Sequence, residues 1–394
     1  MQTNKKNRLL SIDAFRAVIM LLMIFVNTLW TLKDIPGWIG HRAAQDDGLG
    51  LADTIFPAFL FIVGLSVPYA IQNRLKKGDT KAEIGWHILI RTLALVIMGL
   101  FHVNMEHYAA AAPLPEGLWL LLVTIGFFLV WLDYPKEKKA WHEILKAIGI
   151  LTLLLMAILF KGEDGDGRII GMQSYWWGIL GKIGWSYFLV SIIFLFSGGR
   201  LWIQIATWGG LILFNIASHS GALTPLDSIR PYLWFAGNGS AAALTAGGVV
   251  ISLLYRQYKE EKEKFLGILT ALAVTLIVLG LLARTEWIIS KILATPSFVL
   301  VCSGISMAGY GLMVWITDIK GWSGWYRWIS PAGTSTLTCY LLPYIHKSLL
   351  LMYFWQLPEV LRTGMVGICK SLLYAFIIIT ITGFLEKRKI RLKI

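Results

Sequence analysis

The sequence is poor in charge and in cysteine. Charged residues make up only 15% of the 394 residues and hydrophobic residues 56%, which excludes an ordinary soluble domain because such a domain needs a polar surface over its core. The three cysteines, Cys302, Cys339 and Cys369, form no CxxC pair and have no histidine at metal-ligand spacing. We therefore expect small apolar side chains in the core at these positions, without a disulfide framework or a bound metal. The sequence also lacks a hydrophilic stretch long enough for a separate soluble domain.

Apolar runs, by contrast, follow one another along the chain. Eighteen Trp and fourteen Tyr accompany them, and such amphipathic rings collect at membrane–water interfaces. Runs of about 17–22 residues, the length that crosses a bilayer core, occur repeatedly. We predict spans at 9–30, 50–72, 84–103, 117–132, 144–160, 177–197, 200–217, 236–255, 265–283, 297–317, 334–353 and 366–385. The sequence thus predicts an all-α polytopic integral membrane protein of about 12 (10–12) transmembrane helices, with residues 1–394 forming a single transmembrane domain.

The net charge of +13 is unevenly distributed. Lys and Arg concentrate in every second loop, which is the positive-inside pattern of membrane proteins and not a contiguous nucleic-acid-binding face. Because both ends of the chain belong to the basic group, we predict both termini in the cytoplasm. The N-terminal segment has the charge of a signal peptide, but its apolar run continues to Trp30 without a small-residue cleavage site, so we interpret it as a retained first span.

Several charged residues fall inside predicted spans, where an ion needs a partner or a role. Asp13 and Arg16 lie three residues apart on one helical face and either neutralise each other or serve a function. Arg91 in the third span needs an acidic partner, a cavity or an anionic ligand. Lys182, near the start of the sixth span, is either a lysine that extends to the interface or a cation that faces a cavity.

Three polar residues are expected to meet where the first span ends and the second begins. Asn27 ends the first span, His41 lies in the following loop and Asp53 opens the second span. Histidine titrates near neutral pH, so His41 could take a proton from an incoming amine or hydroxyl, or itself accept an acyl group. Asp53 could fix the tautomer of the ring, and the Asn27 amide could donate to a developing oxyanion. The alternative for a single loop histidine is a solvated side chain with no chemistry.

Several segments together resemble the heparan-α-glucosaminide N-acetyltransferase family, a group of transmembrane acyltransferases with bacterial members. The segments are RLLSIDAFRAVIMLLMIFVN (8–27), GLGLADTIFPAFLFIVGLSVP (48–68), GILGKIGWSY (178–187) and SFVLVCSGISMAGYGLMVWITDIKGW (297–322). The resemblance implies an enzyme that moves an acetyl group from cytoplasmic acetyl-CoA to an amino sugar or glycan on the extracytoplasmic side of a bacterial inner membrane. The resemblance further suggests a homodimer. It also implies that His41 is the active-site histidine, with Asn27 and Asp53 beside it. A Gln-Arg pair of the family is replaced here by Gly181-Lys182.

Within that interpretation, Arg16, Arg91 and Lys182 are the candidates for binding the phosphates of acetyl-CoA, by their depth and sign. Two other functions are compatible with many spans and buried charges. One is a transporter or flippase for a sugar or a lipid-linked substrate, although the sequence shows no internal repeat of the kind that many carriers have. The other is an assembly subunit without chemistry, which would not require Asn27, His41 and Asp53 to converge.

Overall fold

The computed structural model describes residues 10–135, 137, 139–226, 228, 237–353, 355 and 357–394. The basic residues Lys5, Lys6 and Arg8, which entered the prediction of orientation, lie outside the described residues. So does most of the second half of the predicted loop 218–235.

The regular secondary structure of the described residues is almost entirely helical. Thirteen α-helices follow one another: α1 Leu10–Asn27, α2 Leu51–Lys76, α3 Lys81–Met105, α4 Glu116–Trp131, α5 Ala140–Leu159, α6 Ile179–Phe196, α7 Leu201–His219, α8 Ser240–Gln257, α9 Lys262–Ala283, α10 Pro296–Met313, α11 Ser330–Thr334, α12 Thr336–Met352 and α13 Gly364–Lys387. Short 3-10 turns occupy Leu29–Thr31, Thr224–Leu226, Trp325–Trp328 and Glu359–Arg362, and α10 continues as a π-helix over Val314–Ile319. Two antiparallel strands of two residues each, β1 Gly162–Glu163 and β2 Ile169–Ile170, form a small hairpin.

The prediction of an all-α fold is therefore confirmed. Apart from the short α11, the helices correspond one to one with the predicted spans, and their ends differ by only a few residues. Within the described part of the chain, nine helices are long and apolar enough to cross a membrane, namely α1, α2, α3, α5, α6, α7, α9, α10 and α13. Helix α4 is apolar but has only 16 residues. The total of twelve spans and the cytoplasmic position of both termini stay predictions.

Glycines bring the central helices into close contact. A Cβ atom on Gly64 of α2 would lie 1.8 Å from the carbonyl oxygen of Thr245 in α8, and one on Gly248 of α8 would lie 2.0 Å from the carbonyl oxygen of Phe61. Helices α3 and α6 approach each other in the same way, since a Cβ on Gly99 would lie 2.5 Å from the backbone nitrogen of Gly181. Small residues at helix contacts are typical of membrane bundles, where packing replaces the hydrophobic effect between helices.

Helices α5, α7, α9 and α13 lie at the periphery, and most of their side chains are exposed or only half-buried. A soluble protein does not expose so much Leu and Ile to water, whereas helices that face lipid expose such side chains to the bilayer. Cys302 and Cys339 are buried as predicted, but Cys369 is exposed on the peripheral α13, which corrects its assignment to the core. An apolar side chain on this face of α13 need not contact other helices, because lipid is expected to surround it.

Candidate active site

The loop that carries His41 is attached to the first turn of α2. The backbone N–H of Leu51 donates to the carbonyl oxygen of Trp38 at 2.7 Å, which satisfies one of the N–H groups that a helix start leaves unpaired. The loop comes so close that a Cβ on Gly50 would lie 1.8 Å from the carbonyl oxygen of Gly40. A glycine at position 50 is therefore required for this approach, and the approach places His41 beside the start of α2.

Asp53 organises this junction from inside the first turn of α2. Its Oδ2 accepts hydrogen bonds from the backbone N–H groups of Gly50 and Arg42, each at 3.1 Å. Its Oδ1 lies 3.0 Å from Nδ1 of His41. A carboxylate is favoured at a helix start because it faces unpaired N–H groups and the positive end of the helix dipole. One side chain therefore connects the loop, the helix and the imidazole.

A third charged group, Lys291, completes the contact. Its Nζ lies 2.9 Å from Nδ1 of His41 and 3.5 Å from Oδ1 of Asp53. Burial lowers the pKa of Lys291 below its ordinary value, while the nearby Asp53 carboxylate acts in the opposite direction. Lys291 was not predicted from the sequence. The available signal was a single lysine in the apolar segment that joins α9 to α10, but nothing in the sequence indicates that this loop reaches His41.

Hydrogen bonds hold the loop between α9 and α10 against the His41 loop. Asp47 accepts from Arg284 Nε at 2.7 Å and from the backbone N–H of Ile289 at 2.9 Å. These two donors hold the pKa of the Asp47 carboxyl below its usual range. The Ser290 hydroxyl donates to the carbonyl oxygen of Ala44 at 2.8 Å. Lys291 follows directly and is thereby directed at the imidazole.

The imidazole of His41 is enclosed by neighbouring side chains. Trp30 stacks on the ring, with centroids 4.4 Å apart and planes 16° apart, and the His41 side chain is only 8% exposed. Nε2 is buried and makes no hydrogen bond to any described residue. When Nδ1 donates its proton to Asp53, Nε2 carries the lone pair and can act as a base or a nucleophile.

A cavity of about 650 Å³ adjoins this site. We call it the Trp-lined cavity because Trp30, Trp176, Trp177 and Trp185 contribute to its wall. Lys182 of α6 and Lys291 also line it, and its described lining includes no Asp or Glu. Further lining residues are Phe56, Pro57 and Leu60 of α2, Ser186 of α6, Asn238, and Ser240 and Leu244 of α8. The cavity thus combines flat aromatic faces with positive charge.

A second cavity, of about 380 Å³, opens towards the opposite end of the bundle, where α1 begins and α13 ends. We call it the Arg-lined cavity because Arg16 and Arg91 line it, together with Lys393. Arg16 contacts Asp13 at 3.3 Å and donates to the hydroxyl of Ser66 at 2.7 Å.

Arg91 has no such polar partner among the described residues. Its guanidinium lies over the ring of Tyr187, 4.8 Å from the centroid, and its Nε is buried without a hydrogen bond. Helices α2 and α6 contribute to both cavities, with Phe59 and Ile183 on one side and Leu60 and Lys182 on the other. These two helices therefore stand between the Arg-lined cavity and the Trp-lined cavity.

The predicted site residues are thus distributed as follows. His41 and Asp53 are in contact, as expected. Asn27 is the last residue of α1 and is exposed, and its amide makes no hydrogen bond to either of them in the described structure. Arg16 and Arg91 share one cavity, whereas Lys182 lines the other, on the His41 side. Their roles in binding and catalysis stay predictions.

Comparison with known proteins gives independent support to the resemblance. Residues 8–163 match the family model described as heparan-alpha-glucosaminide N-acetyltransferase, catalytic. The chain is 33% identical over 105 residues to heparan-alpha-glucosaminide N-acetyltransferase of Mus musculus and 34% identical over 104 residues to that of Homo sapiens. These segments cover 26% and 25% of this chain, but only 15% and 14% of the two relatives.

A third relative comes from a different class. The chain is 24% identical over 253 residues to a probable potassium transport system protein Kup of Thiobacillus denitrificans, a match that covers 58% of this chain and 32% of the relative. Apolar helices resemble one another in composition whatever their function, so this lower identity carries less weight than the motif-bearing match over residues 8–163. The region that contains α1, α2 and the His41 site is therefore related to the catalytic region of heparan-alpha-glucosaminide N-acetyltransferase.

Proposed function

We propose that this protein is a membrane-embedded acetyltransferase that moves an acetyl group from acetyl-CoA to an amine or hydroxyl of a sugar. The observation that carries the proposal is the enclosed His41–Asp53 pair, whose free Nε2 lies at the junction of α1 and α2 within the region matched by the family model. In a bacterial inner membrane with both termini in the cytoplasm, the His41 end of the bundle faces the extracytoplasmic side.

In this proposal the donor binds from the cytoplasmic end through the Arg-lined cavity. Acetyl-CoA carries phosphates at one end and its thioester at the end of a long pantetheine arm. Arg91, whose Nε has no hydrogen-bond partner among the described residues, and Arg16 suit the phosphates because guanidinium groups bind phosphate oxygens through paired hydrogen bonds. The arm would then pass between α2 and α6 towards His41.

The acceptor sugar would bind in the Trp-lined cavity. Aromatic faces pack against the apolar faces of sugar rings, and hydroxyl and amide groups such as those of Ser186 and Asn238 can orient the sugar hydroxyls. Lys182 lines this cavity, so we propose that it faces the acceptor and not the phosphates of the donor for which the sequence suggested it.

The chemistry requires a proton acceptor at the attacking atom. As the acceptor nitrogen or oxygen forms its bond to the acetyl carbon, Nε2 of His41 removes its proton, and the same proton passes to the thiolate when the carbon–sulfur bond breaks. Alternatively Nε2 itself attacks the thioester, and the carbon–sulfur bond breaks to release the CoA thiolate. The acceptor then attacks the acetyl-histidine, the bond from Nε2 to the acetyl carbon breaks, and the proton of the acceptor passes to the thiolate. In both routes Asp53 fixes the proton on Nδ1 and stabilises the positive charge that the ring acquires.

The test is direct acetyl transfer by the full chain purified in detergent, with acetyl-CoA and glucosamine as the probe. Released CoA and acetylated glucosamine are measured together, for the wild type, His41→Ala and the matched control His87→Ala, which replaces a histidine near the start of α3 outside both cavities. We expect both products from the wild type and the control, and a loss of at least 100-fold in His41→Ala. Equal turnover in His41→Ala would remove His41 from the mechanism.

A transporter is the second candidate, because of the similarity to the Kup protein. The two functions are separated by reconstituting the protein in vesicles with radiolabelled glucosamine or rubidium ions outside. Uptake of either solute without consumption of acetyl-CoA would favour a carrier. Acetylation that depends on acetyl-CoA at one face and sugar at the other would favour the enzyme.

A further inference from the structure

The Trp-lined cavity carries a positive charge that the described residues do not compensate. Lys182 of α6 and Lys291 both line the cavity, and its described lining includes no Asp or Glu. The Nζ of Lys291 lies 3.5 Å from Oδ1 of Asp53, so this carboxylate compensates one of the two charges. The ammonium group of Lys182 makes no hydrogen bond or ion pair with any described residue. One positive charge therefore remains at the cavity wall.

The helices that begin beside the cavity add to this positive potential. Lys182 and Trp185 belong to the first two turns of α6, and Ser240 and Leu244 belong to the first two turns of α8. Phe298 belongs to the first turn of α10. The N-terminal end of a helix carries a partial positive charge, which favours an anion nearby. Three helix starts and one uncompensated lysine thus share one cavity.

Close packing fixes the start of α6 and with it the position of Lys182. A Cβ on Gly178 would lie 2.5 Å from Cγ2 of Val103 in α3. A Cβ on Gly181 would lie 2.6 Å from the carbonyl oxygen of Trp176. The backbone that carries Lys182 therefore has little room to move. A charge held on such a rigid element is suited to binding a ligand group at a defined place.

A sugar with a free amine suits this cavity poorly. The comparable α-amino group has a pKa of about 7.7–8.0, so most of the amine is protonated at pH 7. Lys182 repels such an ammonium group, and the described lining offers it no carboxylate. The small uncharged fraction of the amine can still react at high sugar concentration. A carboxylate or phosphate on the sugar would instead form a charge-assisted hydrogen bond with Lys182.

We propose that the acceptor is a sugar with an anionic group, that Lys182 binds this group, and that a hydroxyl of the sugar receives the acetyl group. The use of the cavity in acetyl transfer rests on the proposed function. In this transfer the carbon–sulfur bond of the thioester breaks, an ester bond forms between the acetyl carbon and the sugar oxygen, and the hydroxyl proton passes to the CoA thiolate. The acceptor thereby differs from the glucosaminide in the names of the similar relatives.

The first test is the binding of sugars to the full chain in detergent at pH 7, by calorimetric titration without acetyl-CoA. Glucuronate and glucose 6-phosphate are the anionic probes, glucose is the neutral probe and glucosamine is the cationic probe. The variants are Lys182→Met, which removes the charge, Lys182→Arg, which keeps it, and Lys182→Glu, which reverses it. The control is Lys161→Met, an exposed loop lysine outside the described lining.

The order of affinities should follow the charge of the sugar. In the wild type we expect the anionic sugars to bind about 10–100-fold more tightly than glucose, the gain of a charge-assisted hydrogen bond, and glucosamine to bind less tightly than glucose. Lys182→Met should lose the gain without a change for glucose, whereas Lys182→Arg and Lys161→Met should retain it. Lys182→Glu should prefer glucosamine to glucuronate. A preference between the two anionic probes would identify carboxylate or phosphate as the recognised group and would support the inference.

The second test is acetyl transfer to the same sugars, with released CoA and the acetyl ester measured together. We expect ester formation on the anionic sugars, with values of KM in the same order as the affinities. Transfer to glucosamine alone would overturn the inference. Binding of glucosamine as tight as that of glucuronate in the wild type would also overturn it, and so would an equal loss for all sugars in Lys182→Met, as expected of a merely structural role.

A failure of the proposed function is recognised separately. In that case the wild type releases no CoA with any of the sugars, while glucuronate or glucose 6-phosphate still binds more tightly than glucose and loses this advantage in Lys182→Met. That result would support the anion-binding role of Lys182 without acetyl transfer.

Discussion

The two ends of the candidate site are built in different ways. At the His41 end, two loops and the start of α2 are connected by short polar contacts that meet at Asp53. At the other end, the Arg-lined cavity is mostly apolar, and Arg91 faces it without a hydrogen bond from its buried Nε. At the first end, hydrogen bonds fix the position of the imidazole before any ligand binds, as a reacting centre requires. At the second end, it is Nε of Arg91 that has no hydrogen-bond partner among the described residues, which suits a group that binds an anion.

This comparison predicts the largest effect at Asp53. Asp53→Asn removes the charge that orients His41, and it replaces one of two accepting oxygens by a donor at a position that faces N–H groups. We expect kcat for acetyl transfer to fall by about 10²–10⁴-fold. The matched control is Asp46→Asn in the His41 loop, an exposed aspartate whose substitution we expect to be nearly neutral. Substantial activity in Asp53→Asn would show that the contacts at Asp53 are structural only.

A smaller effect, confined to donor binding, is expected at Arg91. In the proposed function, Arg91→Met removes the charge-assisted hydrogen bonds of this guanidinium to phosphate, so KM for acetyl-CoA should rise by about 10–100-fold with kcat little changed. Acetyl-pantetheine, a donor without the adenosine phosphates, should be used equally by the variant and the wild type. Arg168→Met, in an exposed loop, is the control. An equal loss with both donors would place Arg91 outside phosphate recognition.

Helix α2, one of the two helices that line both cavities, should respond to substitution in stability and not in specificity. Gly64→Ala in α2 places a Cβ within 1.8 Å of the Thr245 carbonyl oxygen, so α2 and α8 must separate. We expect a loss of about 1–3 kcal/mol in the free energy of unfolding, seen as a lower thermal midpoint in detergent. Gly85→Ala in α3, where a Cβ meets no atom within 4 Å, should be neutral or stabilising. Similar midpoints for the two variants would contradict the tight α2–α8 contact.

The smallest effect is expected at Asp47, which joins the loops by an exposed contact. The pKa of Asp47 is lower in the folded protein than its ordinary value of 3.8. The contribution of Asp47 to stability is therefore fully present above pH 3.8 and disappears only as the pH falls through the lower folded pKa. Asp47→Asn should therefore lower the thermal midpoint slightly, and equally at pH 6 and pH 8. A loss at pH 8 that vanishes at pH 6 would indicate that another group determines the pH dependence.

The contact between His41 and Asp53 could be predicted from the sequence, whereas the expected approach of Asn27 to them is not observed. His41 and Asp53 are separated by twelve residues and a helix start, so their convergence follows from the end of one span and the beginning of the next. Lys291 was missed because its contact with His41 spans 250 residues and depends on how the loop after α9 packs. Lys182 was assigned by depth and sign alone, and these do not reveal which cavity a helix face borders.

The sequence by itself determined the helical class, the positions of the helices and the motifs that connect residues 8–163 to an acetyltransferase family, because hydrophobic length and local pattern are properties of contiguous residues. Only the tertiary structure decided which charges share a cavity and which groups surround His41. Those contacts join loops from distant parts of the chain, and their geometry depends on close packing at glycines such as Gly50 and Gly64, whose neighbours no local pattern specifies.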